Sequence, residues 1–176
     1  MKFILFLFFS SFLINSFAQK TATPYIASTS GIGNIKLGMK VLEVEKLTGQ
    51  SIVLKKLQSV YDTFDTIQIH AQDDELTIVF KNDINEDKQG PYLYSIESKS
   101  PLLKTKSGIG IGDDNCKIIN TYSNYPLWIY PVYETETRID KDRSTITLID
   151  LSKSIIFSMT KNILTSITVE YQQNGD

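Results

Sequence analysis

A chain of 176 residues with 18 basic and 20 acidic side chains carries a formal charge of −2. So even a balance lacks the basic footprint that a nucleic acid or an anionic membrane surface demands of its partner. Cys116 is the only cysteine, so no internal disulfide can form and a packed core must hold the fold. The length suits one domain, or two small halves sharing a core.

Met1-Lys2 is followed by the apolar run Phe3-Ile4-Leu5-Phe6-Leu7-Phe8-Phe9, then Ser10-Ser11 and Phe12-Leu13-Ile14. One positive charge, an apolar stretch and small residues at Ser16 and Ala18 have the layout of a secretory signal peptide. The run is short for a membrane span, which needs about 20 residues. Cleavage is expected between Ala18 and Gln19, with residues 1–18 as signal peptide. Position 19 is Gln where lipid attachment would need Cys. The expected destination is the periplasm or the medium, with no stable membrane anchor after cleavage. Loss of Lys2 would leave about 17 basic groups against 20 acidic ones.

Residues 19–30 are polar, contain Pro24 and show no period, so they read as a flexible lead. Gly31 and Gly33 punctuate the entry to a short extended stretch in which Ile35 and Leu37 alternate with Asn34 and Lys36. Val41, Val44 and Leu47, with Leu42 alongside, predict a two-turn helix ending at Gly49. Ile67 and Ile69, a polar turn at Gln72-Asp73-Asp74, and Leu76, Ile78 and Phe80 predict a β-hairpin. A charged loop, residues 82–91, closes on Gly90-Pro91 and leads to a strand with Tyr92, Tyr94 and Ile96. Residues 98–106 read as a connection.

At Ser107-Gly108-Ile109-Gly110-Ile111-Gly112-Asp113 the pattern restarts. Asp114 is a suitable N-cap for a short helix bearing Ile118, Ile119 and Tyr122. Strands follow over residues 127–133, 135–139, 145–150, 154–159 and 163–171, with turns at Asp140-Lys141-Asp142, Ser152-Lys153 and Lys161-Asn162. In the last strand Ile163, Thr165, Ile167, Val169 and Tyr171 should share one face. Gly38 pairs with Gly112, Ile35 with Ile109 and Val44 with Ile118, all at a spacing of 74 residues. Repeats of one supersecondary unit at fixed spacing share a core. The expected class is α+β: two tandem helix-plus-antiparallel-strand repeats, residues 31–106 and 107–176, forming a joint sheet with short helices on one face. Gly38, Gly112 and Asp114 are its expected structural residues.

Ile35-x-Leu37-Gly38-Met39 with its short helix resembles the opening of SmpA/OmlA-type envelope proteins. The doubled arrangement, with Gly108-Ile109-Gly110-Ile111-Gly112-Asp113 opening the second copy, resembles the tandem repeat of β-lactamase-inhibitor-protein-like domains. That resemblance implies two helix-plus-sheet units whose sheets run together, and an open sheet face that grips a partner protein. Two departures stand out. The lipoprotein cysteine common in the first group is absent, and Lys40 occupies the capping position usually held by Ser or Thr. Lys cannot accept the amide bonds of the first turn, which costs about 1 kcal/mol.

Candidate chemistry is sparse. His70 has no second histidine to share a metal and reads as a strand-end residue. Cys116, in a helical first turn, reads as a small half-buried core residue. Asp83-x-Asn85-x-Asp87 imitates a calcium loop but has Lys88 where Gly is needed and Tyr94 where a bidentate Glu is needed. Gly108-x-Gly110-x-Gly112 is followed by Asp113 and Asp114, which repel phosphate, so its glycines read as backbone devices. The strongest lead is aromatic. Tyr122, Tyr125, Trp128, Tyr130 and Tyr133 crowd one segment, and such residues either fill a small core or form binding hot spots. Strand parity puts Trp128 and Tyr130 on an open face, opposite Leu127 and Ile129. The expected function is a non-enzymatic, exported protein-binding domain of accessory, inhibitor or immunity type. Trp128, Tyr130, Tyr133 and Tyr125 are its expected binding residues, with no cofactor, metal or nucleic acid. A module for a small apolar or glycan ligand is the alternative, and an enzyme comes last.

Overall fold

The computed structural model describes residues 25–55, 63–71, 74–82 and 90–172. The expected signal peptide, its cleavage point and the acidic loop after Asn82 fall outside them. Eleven strands and two helices are described: β1 (Tyr25–Ser28), β2 (Gly31–Ile32), β3 (Ile35–Lys36), α1 (Val41–Thr48), β4 (Phe64–Ala71), β5 (Asp74–Lys81), β6 (Tyr92–Ser98), β7 (Leu103–Thr105), α2 (Asn115–Thr121), β8 (Leu127–Thr135), β9 (Arg138–Asp150), β10 (Lys153–Thr160) and β11 (Ile163–Tyr171). They form an α+β fold with a four-stranded sheet, β3-β2-β1-β7, and a seven-stranded sheet, β4-β5-β6-β11-β10-β9-β8. Among the described residues no helix is long and apolar enough to cross a membrane.

The tandem repeat is visible in the hydrogen bonds. The Gly38 amide donates to the Leu93 carbonyl and the Leu93 amide to the Met39 carbonyl, both at 2.8 Å. Seventy-four residues on, the Gly112 amide donates to the Leu164 carbonyl at 2.9 Å and the Leu164 amide to the Asp113 carbonyl at 2.8 Å. Gly38 and Gly112 both take positive φ, 85° and 94°, where a side chain is strained. Each repeat thus locks its helix entry onto its last strand in the large sheet, and those strands, β6 and β11, pair antiparallel at the centre of that sheet. Both helices contribute to one core: Val44 and Ile118 are fully buried with Ile78, Ile96, Phe157, Leu164 and Ile167.

The two helices are capped unequally. Asp114 accepts the Lys117 amide at 2.8 Å, as its carboxylate should. Lys40 makes no side-chain cap bond; instead the Glu43 carboxylate reaches back to the Lys40 amide at 2.7 Å. Gly49 ends α1 in the left-handed region. Leu42 and Leu47, expected on the apolar face, are exposed, so α1 buries little beyond Val44.

Four expectations are corrected. Tyr25–Ser28 is a strand, not part of a flexible lead: Tyr25 and Ala27 are buried, and β1 runs parallel to β7 and antiparallel to β2. Burial and the charge of Asp74 push the Tyr25 hydroxyl up to about 12. Its partner β7 comes from the segment read as a connection, which no local pattern could reveal. Asp140-Lys141-Asp142 is not a chain reversal. The reversal lies at Glu136-Thr137, and residues 141–143 bulge out of a continuous β9, since Pro131 pairs with Ser144 but Val132 with Asp140. The Asp140 carboxylate holds this bulge by accepting from the Asp142 amide and Arg143 Nε, and the Arg143 bond leads the effects that lower its pKa.

The fourth correction concerns β11. Ser158 pairs with Ser166 but Met159 with Leu164, so Thr165 is an extra residue, with its hydroxyl on the Ser158 carbonyl at 3.0 Å. A bulge reverses side-chain parity. Leu164 therefore joins Ile167 and Val169 in the core, while Ile163 is 43% exposed. The first repeat has the same device: Val79 pairs with Ser95 and Phe80 with Leu93, leaving Tyr94 as the extra residue.

Candidate binding face

One face of the large sheet is covered by the helices and the small sheet; the other carries mainly polar side chains, most of them Ser and Thr. Register places Thr66 and Gln68 of β4, Thr77 and Val79 of β5, Ser95 and Glu97 of β6, Thr168 and Glu170 of β11, Ser154, Ile156 and Ser158 of β10, and Thr145 and Thr147 of β9 on that open face. Seven strands span about 29 Å at sheet spacing. Glu170 lies between Ser95 and Ser154, and burial alone pushes its carboxyl above the usual range. A carboxyl with a raised folded-state pKa penalises the fold once ionised, so stability falls as pH rises through its titration. Glu170→Gln is expected to raise the melting temperature at pH 7 and to change it much less at pH 4. An equal gain at both pH values would assign the effect to packing instead.

Trp128 and Tyr130 close this face at the β8 edge. They pair with Thr147 and Thr145, which puts both rings on the open side, and they stack at 6.3 Å with planes 6° apart. Trp128 is 52% and Tyr130 48% exposed, so neither fills the core. Leu127 and Ile129 point the other way, toward the helix layer, but Ile129 is still 57% exposed because that layer stops short of the edge strand. The Ile149 amide donates to the Pro126 carbonyl, so even-numbered residues of β8 turn their polar groups toward β9. Pro131 therefore faces the free edge, where its missing N–H interrupts the row that an unrelated strand could pair with.

The remaining expected site residues are dispersed. Tyr125 lies on the helix side, edge-on to the buried Tyr122 at 6.0 Å, and is not part of the open-face pair. Tyr133 pairs with Ile139 beyond the bulge, and both are exposed. Thr145, Thr147 and Ile156, which floor the region beside Trp128, were not singled out; the alternation of Thr145 and Thr147 with Ile146 and Leu148 was the available signal. His70 is exposed on β4 opposite Glu75, in the first repeat. Cys116, in the second, is exposed rather than half-buried, because Ile118 is the α2 residue that turns inward.

Asp114 and Gly112 keep their structural places, and Asp113 gains one. It accepts the Gly110 amide at 2.8 Å and Lys117 Nζ at 2.7 Å. Burial works to raise its pKa, but the bonds from Lys117 and Gly110 and the charges of Lys117 and Lys104 together hold it below the usual range.

Fold and face together define a tandem-repeat α+β domain with helices behind one large sheet and an aromatic pair on its open side. No protein-family model, curated protein or solved structure matches the chain.

Proposed function

We propose that this is an exported, non-enzymatic domain that binds another protein through its open sheet face, in the manner of an envelope accessory, inhibitor or immunity protein. The observation that carries the reading is the Trp128–Tyr130 stack, about half exposed on a face with no other described aromatic ring beside it. Paired large aromatics exposed together mark contact surfaces, and Trp and Tyr dominate interface energetics. The acidic balance of the chain and the secretory pattern of residues 1–18 agree with a protein partner outside the cytoplasm.

The test uses the exported protein as bait in envelope extract, with the retained partner then titrated directly. Trp128→Ala is expected to cost about 2 kcal/mol of affinity, roughly thirtyfold. It should move the melting temperature by less than about 2 °C. Undiminished binding by Trp128→Ala/Tyr130→Ala would remove this face from the interaction. Two half-exposed aromatic rings also offer apolar surface to a sugar or small apolar ligand. Quenching of Trp128 fluorescence by saccharides, with no partner retained, would favour that alternative.

A further inference from the structure

The two repeats share a backbone plan, and one rim of the large sheet departs from it in chemistry. There Phe64 meets Tyr94 edge-on at 5.3 Å, Tyr94 lies 6.2 Å from Tyr171, and Tyr171 meets Tyr92 edge-on at 5.9 Å. Three ammonium groups stand on these rings. Lys81 Nζ is 5.7 Å from the centroids of both Phe64 and Tyr94, Lys40 Nζ is 5.7 Å from Tyr92, and Lys153 Nζ is 5.4 Å from Tyr171. All three lysines are half-buried. Lys40 also donates to the Gly90 carbonyl at 3.3 Å. Among the described residues, the ion pairs involve other cations, and none of these three meets a carboxylate.

Lys153 and Tyr171 come from the second repeat and the other five residues from the first, and the equivalents of those five in the second repeat show that the fold does not require them. Lys40 bridges Tyr92 where Asp114 bridges Ile163. The bulge residue Tyr94 corresponds to Thr165, and Lys81 to Thr160. Phe64, opposite Lys81, corresponds to Arg143, opposite Thr160, and Arg143 is paired with Asp140. The same backbone positions thus hold no ring and no unpaired cation in the second copy. Lys40 even displaces a capping residue, which costs α1 stability. A ring attracts a cation but neutralises no charge, so the rim keeps three positive charges in a chain that is negative overall.

We propose that this rim docks an acidic polypeptide segment, with carboxylates facing Lys40, Lys81 and Lys153 and apolar side chains against the half-buried rings of Phe64, Tyr92 and Tyr171, which the buried Tyr94 supports from behind. Charge complementarity selects the occupant. An anionic bilayer recruits clusters of about four to eight basic residues, and the net negative charge here opposes such a surface. The site is independent of the Trp128–Tyr130 reading, which concerns the opposite edge strand.

Fluorescein-labelled polyglutamate, followed by anisotropy with the full protein, tests the proposal. Saturable binding is expected at low salt, weakening about tenfold or more as ionic strength rises to about 0.3 M. Lys81→Gln/Lys153→Gln should weaken it about tenfold, while Lys99→Gln/Lys161→Gln should leave it unchanged. Lys81→Arg/Lys153→Arg should retain binding, which separates lost charge from lost folding; melting curves accompany every variant. Failure of the wild-type protein to bind the probe overturns the proposal. So does equal loss in the Lys99/Lys161 control, or binding to phosphatidylglycerol vesicles in preference to polyglutamate.

Discussion

Gly31→Ala is expected to destabilise the protein by about 3 kcal/mol or more, enough to lower its melting temperature by many degrees. Gly31 has a φ of 144° and sits where β2 pairs with β3, opposite Lys36. A Cβ built there lies 2.2 Å from the Ile35 carbonyl oxygen and 2.8 Å from the Lys36 Cα. Both obstacles are backbone, so no side chain can swing aside. Relief requires parting β2 from β3, and with them the buried Ile32 and Ile35 that join the small sheet to the core. Gly112 is the instructive contrast. It shares a positive φ, 94°, but a Cβ there meets nothing within 4 Å. Gly112→Ala should cost only the conformational strain, about 1 kcal/mol. Denaturant melts of the two variants should rank them in that order. A Gly31→Ala protein as stable as the wild type would show that the β2–β3 contact is not made in solution.

Phe157→Ala should cost about 3–5 kcal/mol, the range for emptying a buried aromatic site. Phe157 is fully buried on β10, opposite Ile146 on one side and Ile167 on the other. Its ring stacks on Tyr122 at 5.7 Å, and the Tyr122 hydroxyl donates to Thr105 Oγ1 at 2.8 Å in the interior. One side chain therefore joins the sheet, the end of α2 and the strand β7. Removing it leaves a cavity and loosens the seat of a buried hydroxyl pair. Trp128→Ala, by contrast, removes a half-exposed ring and should scarcely move the unfolding midpoint. If Trp128→Ala proves as damaging as Phe157→Ala, the aromatic segment is core and the proposed binding face is wrong.

The sequence by itself determined whatever depends on neighbours along the chain. Period-two apolar residues from Ile67 to Phe80 set the hairpin β4–β5, and Gly49 and Asp114 set a helix end and a helix start. The spacing of 74 residues between Gly38 and Gly112 set the tandem plan. It also placed Trp128 and Tyr130 on one side of a strand, because alternation is a property of the strand alone. Only the tertiary structure decided what depends on pairing between distant segments. Tyr94 and Thr165 become bulges because Leu93 and Leu164 are drawn inward by Met39 and Asp113, each many residues away, and each bulge reverses the parity that local alternation implies. Tyr25–Ser28 becomes a strand because β7 and β2 are there to accept it. Tyr125 parts from Trp128, and Lys40, Lys81 and Lys153 converge on one rim, for the same reason: side-chain direction is local, but company is set by which strands lie side by side.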